Sequence, residues 1–284
     1  MRHASGVGAR RARHALRAAC AGIALAAGIA AAASGDTDAD AAVARLAARA
    51  AQQPDDLALQ WIALIGDRDS PSAARTVMRL QRREPRNAAA WALSLAVPGT
   101  GTDERTALSH MARGTVYDEH QGTAARAIAT ELRAAGGVDD VNRRAWLAAD
   151  SGSLAGHLFS ACAPREAEPR HALRAACTAA MHVVFRRSTD LTTIANAQHV
   201  LRALHALDGR ERERARRLAW WRDGVDRRIA YDDALERAWF DALVASDDAP
   251  ATLEAFARRF GASDPPADWR WRPPDAPIDP PVIH

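Results

Sequence analysis

Apolar residues recur every three or four positions along most of this chain, and the positions between them are polar or charged. This period is typical of helices that bury one face. The clearest example runs from residue 73 to residue 96, where two such stripes flank Pro85. Proline lacks the amide hydrogen that a helix interior needs, so the first helix must end before Pro85. The pattern predicts an antiparallel helical hairpin.

Comparable stripes, separated by short turns of Gly, Pro, Ser and Asp, continue over residues 41 to 262. They predict an all-α domain over residues 34–262 with about ten to twelve helices. Pairs of acidic residues fall where these helices should start or end. The pairs are Asp55-Asp56, Asp139-Asp140, Asp232-Asp233 and Asp247-Asp248. Because the free N–H groups and the dipole of a helix start favour acids, we interpret the pairs as helix caps rather than catalytic groups.

Pro85 and Trp91 lie six positions apart inside the hairpin, and this spacing resembles the tetratricopeptide (TPR-like) repeat. The resemblance covers about residues 41–96. It implies antiparallel hairpins stacked as a TPR-like right-handed superhelix or an irregular α-solenoid. It also implies that the protein binds another protein or a peptide along a concave surface. Trp61, Trp91 and Trp146 are expected to pack within the hairpins.

Residues 1–33 have the features of a secretory signal peptide. An arginine-rich start precedes the apolar run 18–30, and the small residues 31–33 offer a cleavage site. The apolar run is too short to span a bilayer comfortably. We expect cleavage after residue 33 and export by the general secretory route rather than the twin-arginine route. The mature chain should then be periplasmic or secreted, without a stable membrane span.

Cleavage would remove Cys20 and leave Cys162 and Cys177. An even pair of cysteines in an exported protein predicts a disulfide. Closing a loop of about 16 residues should stabilise the fold by roughly 3 kcal/mol. The spacing is much wider than that of a redox CxxC pair, which favours a structural role.

The charged residues and histidines of the chain exclude several kinds of chemistry. The chain has no Lys, so it has neither a phosphate-binding Walker lysine nor a lysine for a Schiff base. After cleavage, 33 basic residues would face 35 acidic ones, a balance that speaks against nucleic-acid binding. The alternating run at 210–217, RERERARR, is interpreted as a solvent-exposed helix face. The histidines follow no metal-ligand spacing, so we assign no catalytic residue, cofactor or metal.

The C-terminal segment 263–284 differs from the rest of the chain. It contains seven of the 14 prolines and the sequence Trp269, Arg270, Trp271, Arg272. This composition predicts an extended, polyproline-like tail without a core of its own. The tail either packs on the helical domain, as a binding or lid segment, or projects as a recognition peptide. Packing is favoured, because two exposed Trp side chains would promote aggregation.

Three functions are compatible with these features. The first is an exported, non-catalytic helical scaffold that binds an unknown envelope or secreted protein or peptide. The alternative is an all-α pocket protein that binds an apolar or lipid-like ligand, with the tail as a lid. The third is an envelope hydrolase that uses carboxylates carried on helices. An open polar groove would favour the scaffold, an enclosed apolar cavity the pocket protein, and two acids across a cleft the hydrolase.

Overall fold

The computed structural model of the chain describes residues 36–137, 139–150, 154–162, 171–262 and 264–270. The predicted signal peptide 1–33 and the tail residues 271–284 lie outside these ranges. Thirteen α-helices and no strand occur in the described part of the chain. The helices are α1 (Thr37–Gln52), α2 (Leu57–Gly66), α3 (Ala73–Arg83), α4 (Ala88–Ala96), α5 (Glu104–Met111), α6 (Gln121–Ala134), α7 (Val141–Asp150), α8 (Ala155–Cys162), α9 (His171–Arg187), α10 (Leu191–Ala203), α11 (Gly209–Ile229), α12 (Asp233–Val244) and α13 (Ala249–Arg259). The prediction of an all-α fold is confirmed.

Most helices pack against a neighbour in sequence. The closest sequential pairs are α1 with α2, α4 with α5, α6 with α7, and α9 with α10. Other contacts join helices far apart in the chain: α1 packs on α6 and α7, α5 on α9, and α7 on α12. The apolar side chains form two buried clusters, one of them built largely by α1, α2, α6 and α7.

Aspartate side chains begin most of the helices. The side chains of Asp56, Asp232 and Asp248 accept hydrogen bonds from backbone N–H groups in the first turns of α2, α12 and α13. The interpretation as caps is therefore confirmed for three of the four acidic pairs, and it stays a prediction for Asp139-Asp140. Further carboxylate caps stand at Asp36, Asp103, Asp190 and Asp208. The helix starts are thus fixed by local hydrogen bonds that the sequence makes visible.

Two local predictions are wrong. The sequence Ser70-Pro71 predicts a helix start with Ser70 as its N-cap. The helix that precedes Pro85 instead begins at Ala73, and the Ser70 hydroxyl donates to the Asp67 carbonyl. The helical period that runs to Ala135 predicts a helix from Tyr117 onward. Tyr117 instead is fully buried outside any helix and forms an isolated parallel bridge with Ser188. In both places a tertiary or turn contact outweighs the local helical pattern.

The predicted hairpin around Pro85 is present. Helix α3 ends at Arg83, and α4 starts at Ala88. The indole N–H of Trp91 donates to the Pro85 carbonyl at 3.1 Å, and its ring stacks on His110 of α5 with 3.7 Å between the centroids. Trp91 thus links the turn at Pro85 to α5.

Cys162 and Cys177 form the predicted disulfide, which joins the end of α8 to α9. Both cysteines are buried, and Ala180 and Val184 continue the buried face of α9. The bond spans the segment 163–170, which lies outside the described residues. No helix of the described part is both long enough and apolar enough to cross a membrane.

Candidate functional site

An open groove of about 840 Å³ runs between α9, α11 and the start of α13, and we call it the arginine groove. Its volume is within the range of roughly 300 to 1,000 Å³ that is usual for ligand sites. Five arginines line it: Arg186, Arg187, Arg210, Arg214 and Arg217. The acidic residues on its wall are Glu213, Asp248 and Glu254. The groove is therefore rimmed by an excess of positive charge.

Apolar groups form part of its wall. Val116, which lies in the extended segment before α6, is 47% exposed. Leu218 and Trp221 of α11 are largely buried beneath the rim. The Val116 carbonyl accepts a hydrogen bond from the Ala88 N–H, so the start of α4 holds this segment in place. The arginine groove thus combines a fixed apolar surface with charged edges.

The charge run 210–217 is only partly the solvent-exposed face that its alternation predicted. Glu211 is 3% exposed and closes a capping box with Asp208 at the start of α11. Its Oε1 contacts His182 Nδ1 at 2.6 Å and accepts from Arg186 Nε at 2.7 Å. The arginines of the same run line the groove. Because α9 packs against α11 at Glu211, this acid is buried, while the arginines of the same run face the groove.

A second polar assembly is a cluster of acids, Glu119, Asp150 and Asp190, which we call the acid cluster. Glu119 Oε1 accepts hydrogen bonds from the Tyr117 hydroxyl at 2.9 Å and from Thr193 Oγ1 at 3.1 Å. Burial, and then the nearby charge of Asp190, raise the pKa of Glu119 to about 8. A carboxyl with this pKa carries its proton at neutral pH.

The pKa values of the other two acids of the cluster, Asp150 and Asp190, are raised as well. Burial and the charge of Asp190 raise the pKa of Asp150, at the end of α7, to about 7. Burial also raises the pKa of Asp190, although its cap bonds to Thr193 oppose the change. Arg222 of α11 faces both aspartates with the opposite charge. The cluster therefore holds protons that the same acids would lose in water.

A small cavity of about 10 Å³ adjoins the acid cluster, with room for about one water-sized molecule. Arg68, Glu119 and Gln121 line it together with Trp61. Within the described residues, Arg68 Nε and Gln121 Oε1 are buried and have no hydrogen-bond partner. The Gln121 side-chain N–H group donates to Asp150 Oδ1 at 3.1 Å. The carboxylates are thus brought together beside a cavity rather than across a cleft.

A further titratable pair supports the turn before α6. His120 Nε2 contacts Glu84 Oε1 at 2.9 Å, and Glu84 also accepts from the Trp61 indole at 3.1 Å. Burial has the largest single effect and would lower the pKa of His120, but the hydrogen bond to Glu84 and the negative charges of Asp118, Glu84 and Asp247 together outweigh it and raise the pKa. His120 adopts a left-handed backbone conformation, with a φ of 54°. The contact with Glu84 thus holds His120, the residue just before α6, in place.

The predicted site residues of the tail are partly visible. Trp269 packs edge-on against Trp220 of α11, with 5.4 Å between the ring centroids. Arg216 donates to the Pro266 carbonyl at 2.8 Å, and Arg217 pairs with Asp264 at 3.7 Å. Arg270 is exposed, whereas Trp271 and Arg272 lie outside the described residues. The described part of the tail, residues 264–270, therefore packs on the helical domain.

Neither the arginine groove nor the acid cluster is predicted by the sequence. Glu119, Asp150 and Asp190 are separated by 31 and 40 positions, and no spacing pattern links them. The arginines of the groove come mainly from two places in the sequence, the run at 210–217 and the Arg186-Arg187 pair that ends α9, with α10 between them. In the described residues, no group of three His, Cys, Asp or Glu side chains is arranged to hold a metal ion.

Comparisons with known proteins do not assign the chain to a family. No family model matches it, and neither the curated proteins nor the solved structures contain a match. The fold and site define an all-α protein of sequentially paired helices with an open arginine groove.

Proposed function

We propose that this chain is an exported, non-catalytic helical scaffold that binds a polypeptide segment in the arginine groove. The observation that carries the proposal is the groove itself, which is open and about 840 Å³ in volume, with an exposed apolar residue, Val116, on its wall. Sites that combine apolar contact with a few charged groups are typical of specific recognition.

The disulfide between Cys162 and Cys177 supports the export part of this proposal, because such bonds persist mainly in oxidising compartments. The contact of Trp91 with Pro85 supports a TPR-like or α-solenoid arrangement of the hairpins. The acid cluster is a weaker candidate for a binding site, since the cavity beside it is about 10 Å³. An apolar or lipid-like ligand would leave the guanidinium groups of the groove without a partner.

Display of a random peptide library against the purified exported protein tests this function. A photo-crosslinking amino acid at Val116 should capture the enriched peptides. The same group at Tyr231, which is 86% exposed and is not a lining residue of the groove, should not capture them. Equal capture at both positions, or no enriched peptide at all, would exclude the proposed function.

A further inference from the structure

The arginine groove contains guanidinium groups without a carboxylate partner. Arg187, at the end of α9, and Arg210, in the first turn of α11, are both exposed and form no ion pair among the described residues. In contrast, Arg186 pairs with Asp208 at 2.8 Å. Arg217 pairs with Glu213 at 3.1 Å. Two of the five positive charges are therefore free to meet a ligand.

The acids on the groove wall already have partners. Glu213 binds Arg216 and Arg217, and these hydrogen bonds lower its pKa to about 2. Glu254 pairs with Arg258 one turn further along α13, at 2.5 Å. Asp248 caps α13 by accepting from the Ala251 N–H at 2.9 Å. These acids leave Arg187 and Arg210 unpaired.

Arg214 adds to the positive potential from inside the groove. Its guanidinium lies over the Phe185 ring, 5.5 Å from the centroid, and donates to the Arg186 carbonyl at 2.7 Å. Burial lowers the pKa of Arg214, Asp248 acts against this change, and the like charge of Arg187 adds to it. An anion placed beside Arg187 would relieve this repulsion.

We infer that the occupant of the arginine groove is an acidic polypeptide segment, with carboxylates that pair with Arg187 and Arg210 and an apolar side chain that packs on Val116. This inference rests on the proposed function and names the chemistry of the partner. Arginine side chains suit the binding of an acidic segment, because a guanidinium can bind both oxygens of a carboxylate at once. The nearby apolar surface favours a peptide over an anion that is charged throughout.

Fluorescence anisotropy with labelled synthetic peptides tests the inference. The probe is a short peptide of Glu, Val and Ser, and its matched controls carry Gln or Arg in place of every Glu. We expect the acidic peptide to bind on the order of tenfold more tightly than the Gln peptide. Raising the salt concentration should reduce this preference, because exposed charges are screened over about 8 Å at physiological ionic strength.

Charge-reversal variants test whether the preference for the acidic peptide depends on Arg187 and Arg210. The double variant Arg187→Glu, Arg210→Glu should lose the preference for the acidic peptide and favour the Arg peptide. The matched control is Arg82→Glu, Arg105→Glu, which reverses two exposed arginines that do not line the groove. It should bind all three peptides as the natural protein does. Thermal unfolding of both variants checks that they are folded.

Other results of these binding experiments would contradict the inference, the proposed function or both. If the acidic and Gln peptides bind equally, and the groove variant changes neither, the inference is wrong, while the proposed function stands as long as the bound peptides are captured at Val116. If no peptide binds, from this set or from the library, both fail. Tighter binding of a single-stranded oligonucleotide would overturn the inference in favour of nucleic acid. Binding only by a variant that ends at residue 270 would identify residues 271–284, which carry Asp275 and Asp279, as the occupant.

Discussion

The acid cluster predicts that the protein loses stability as the pH rises. In the folded chain the pKa of Glu119 is about 8, against an ordinary value of 4.5. Below about pH 4.5 both the folded and the unfolded chain carry the proton. Between these two values the unfolded chain has released it and the folded chain still binds it. The free energy of unfolding therefore falls as the pH rises from about 4.5, and it levels off above about 8.

The size of this loss follows from the same difference in pKa. The full difference corresponds to about 5 kcal/mol for Glu119 alone. Glu119 as a whole residue is partly accessible, and solvent screening reduces this value, so we expect Glu119 to contribute a loss of about 2 kcal/mol between pH 5 and pH 8. Asp150 acts in the same direction, because its pKa of about 7 is also raised. The raised pKa of His120 adds a loss of the same sign as that proton is released.

Glu119→Gln isolates the contribution of this one carboxyl. Glutamine keeps an acceptor for the Tyr117 hydroxyl and the Thr193 hydroxyl, but it cannot ionise. The assay is urea unfolding followed by Trp fluorescence over a series of pH values. We expect the variant to show about half of the natural protein's loss between pH 5 and pH 8, since Asp150 and His120 still titrate.

The control is Glu131→Gln, which removes a carboxylate that pairs with Arg45 and Arg49 on α1. It should lower the stability slightly, and its pH dependence should follow that of the natural protein. A Glu119→Gln variant with the natural slope would show that Glu119 does not hold its proton in the fold. A stability that rises with pH over this range would refute the reasoning for the whole cluster.

Three further changes test the packing. Cys177→Ser removes the bond to Cys162, which lies 15 positions away, and should lower the free energy of unfolding by about 3 kcal/mol in non-reducing buffer. A reducing agent should remove the difference. Gly122→Ala would place its Cβ 2.2 Å from the Ser246 carbonyl oxygen, so we expect a loss of about 1 to 3 kcal/mol and a lower Tm. Gly156→Ala, where nothing lies within 4 Å, is its control and should leave the Tm unchanged or slightly raised.

Local physical chemistry made much of this fold predictable from the sequence. Whether a segment forms a helix depends on side chains three and four positions apart, and where it begins depends on a cap within one turn. Both the formation of a helix and its ends are therefore determined by residues close together in the sequence, as at Asp56 before α2 and at Pro85 after α3. The disulfide was predictable for a similar reason, because Cys162 and Cys177 stand on helices that follow one another directly.

Only the tertiary structure decided the two candidate sites. Glu119, Asp150 and Asp190 meet because α6, α7 and α10 bring their ends together, and no residue near any one of them signals the other two. Glu211 has the same local pattern as Glu213, yet α9 buries one and leaves the other on the groove wall. Burial and charge pairing of this kind depend on how whole helix surfaces fit together, and the order of residues along one helix does not specify that fit.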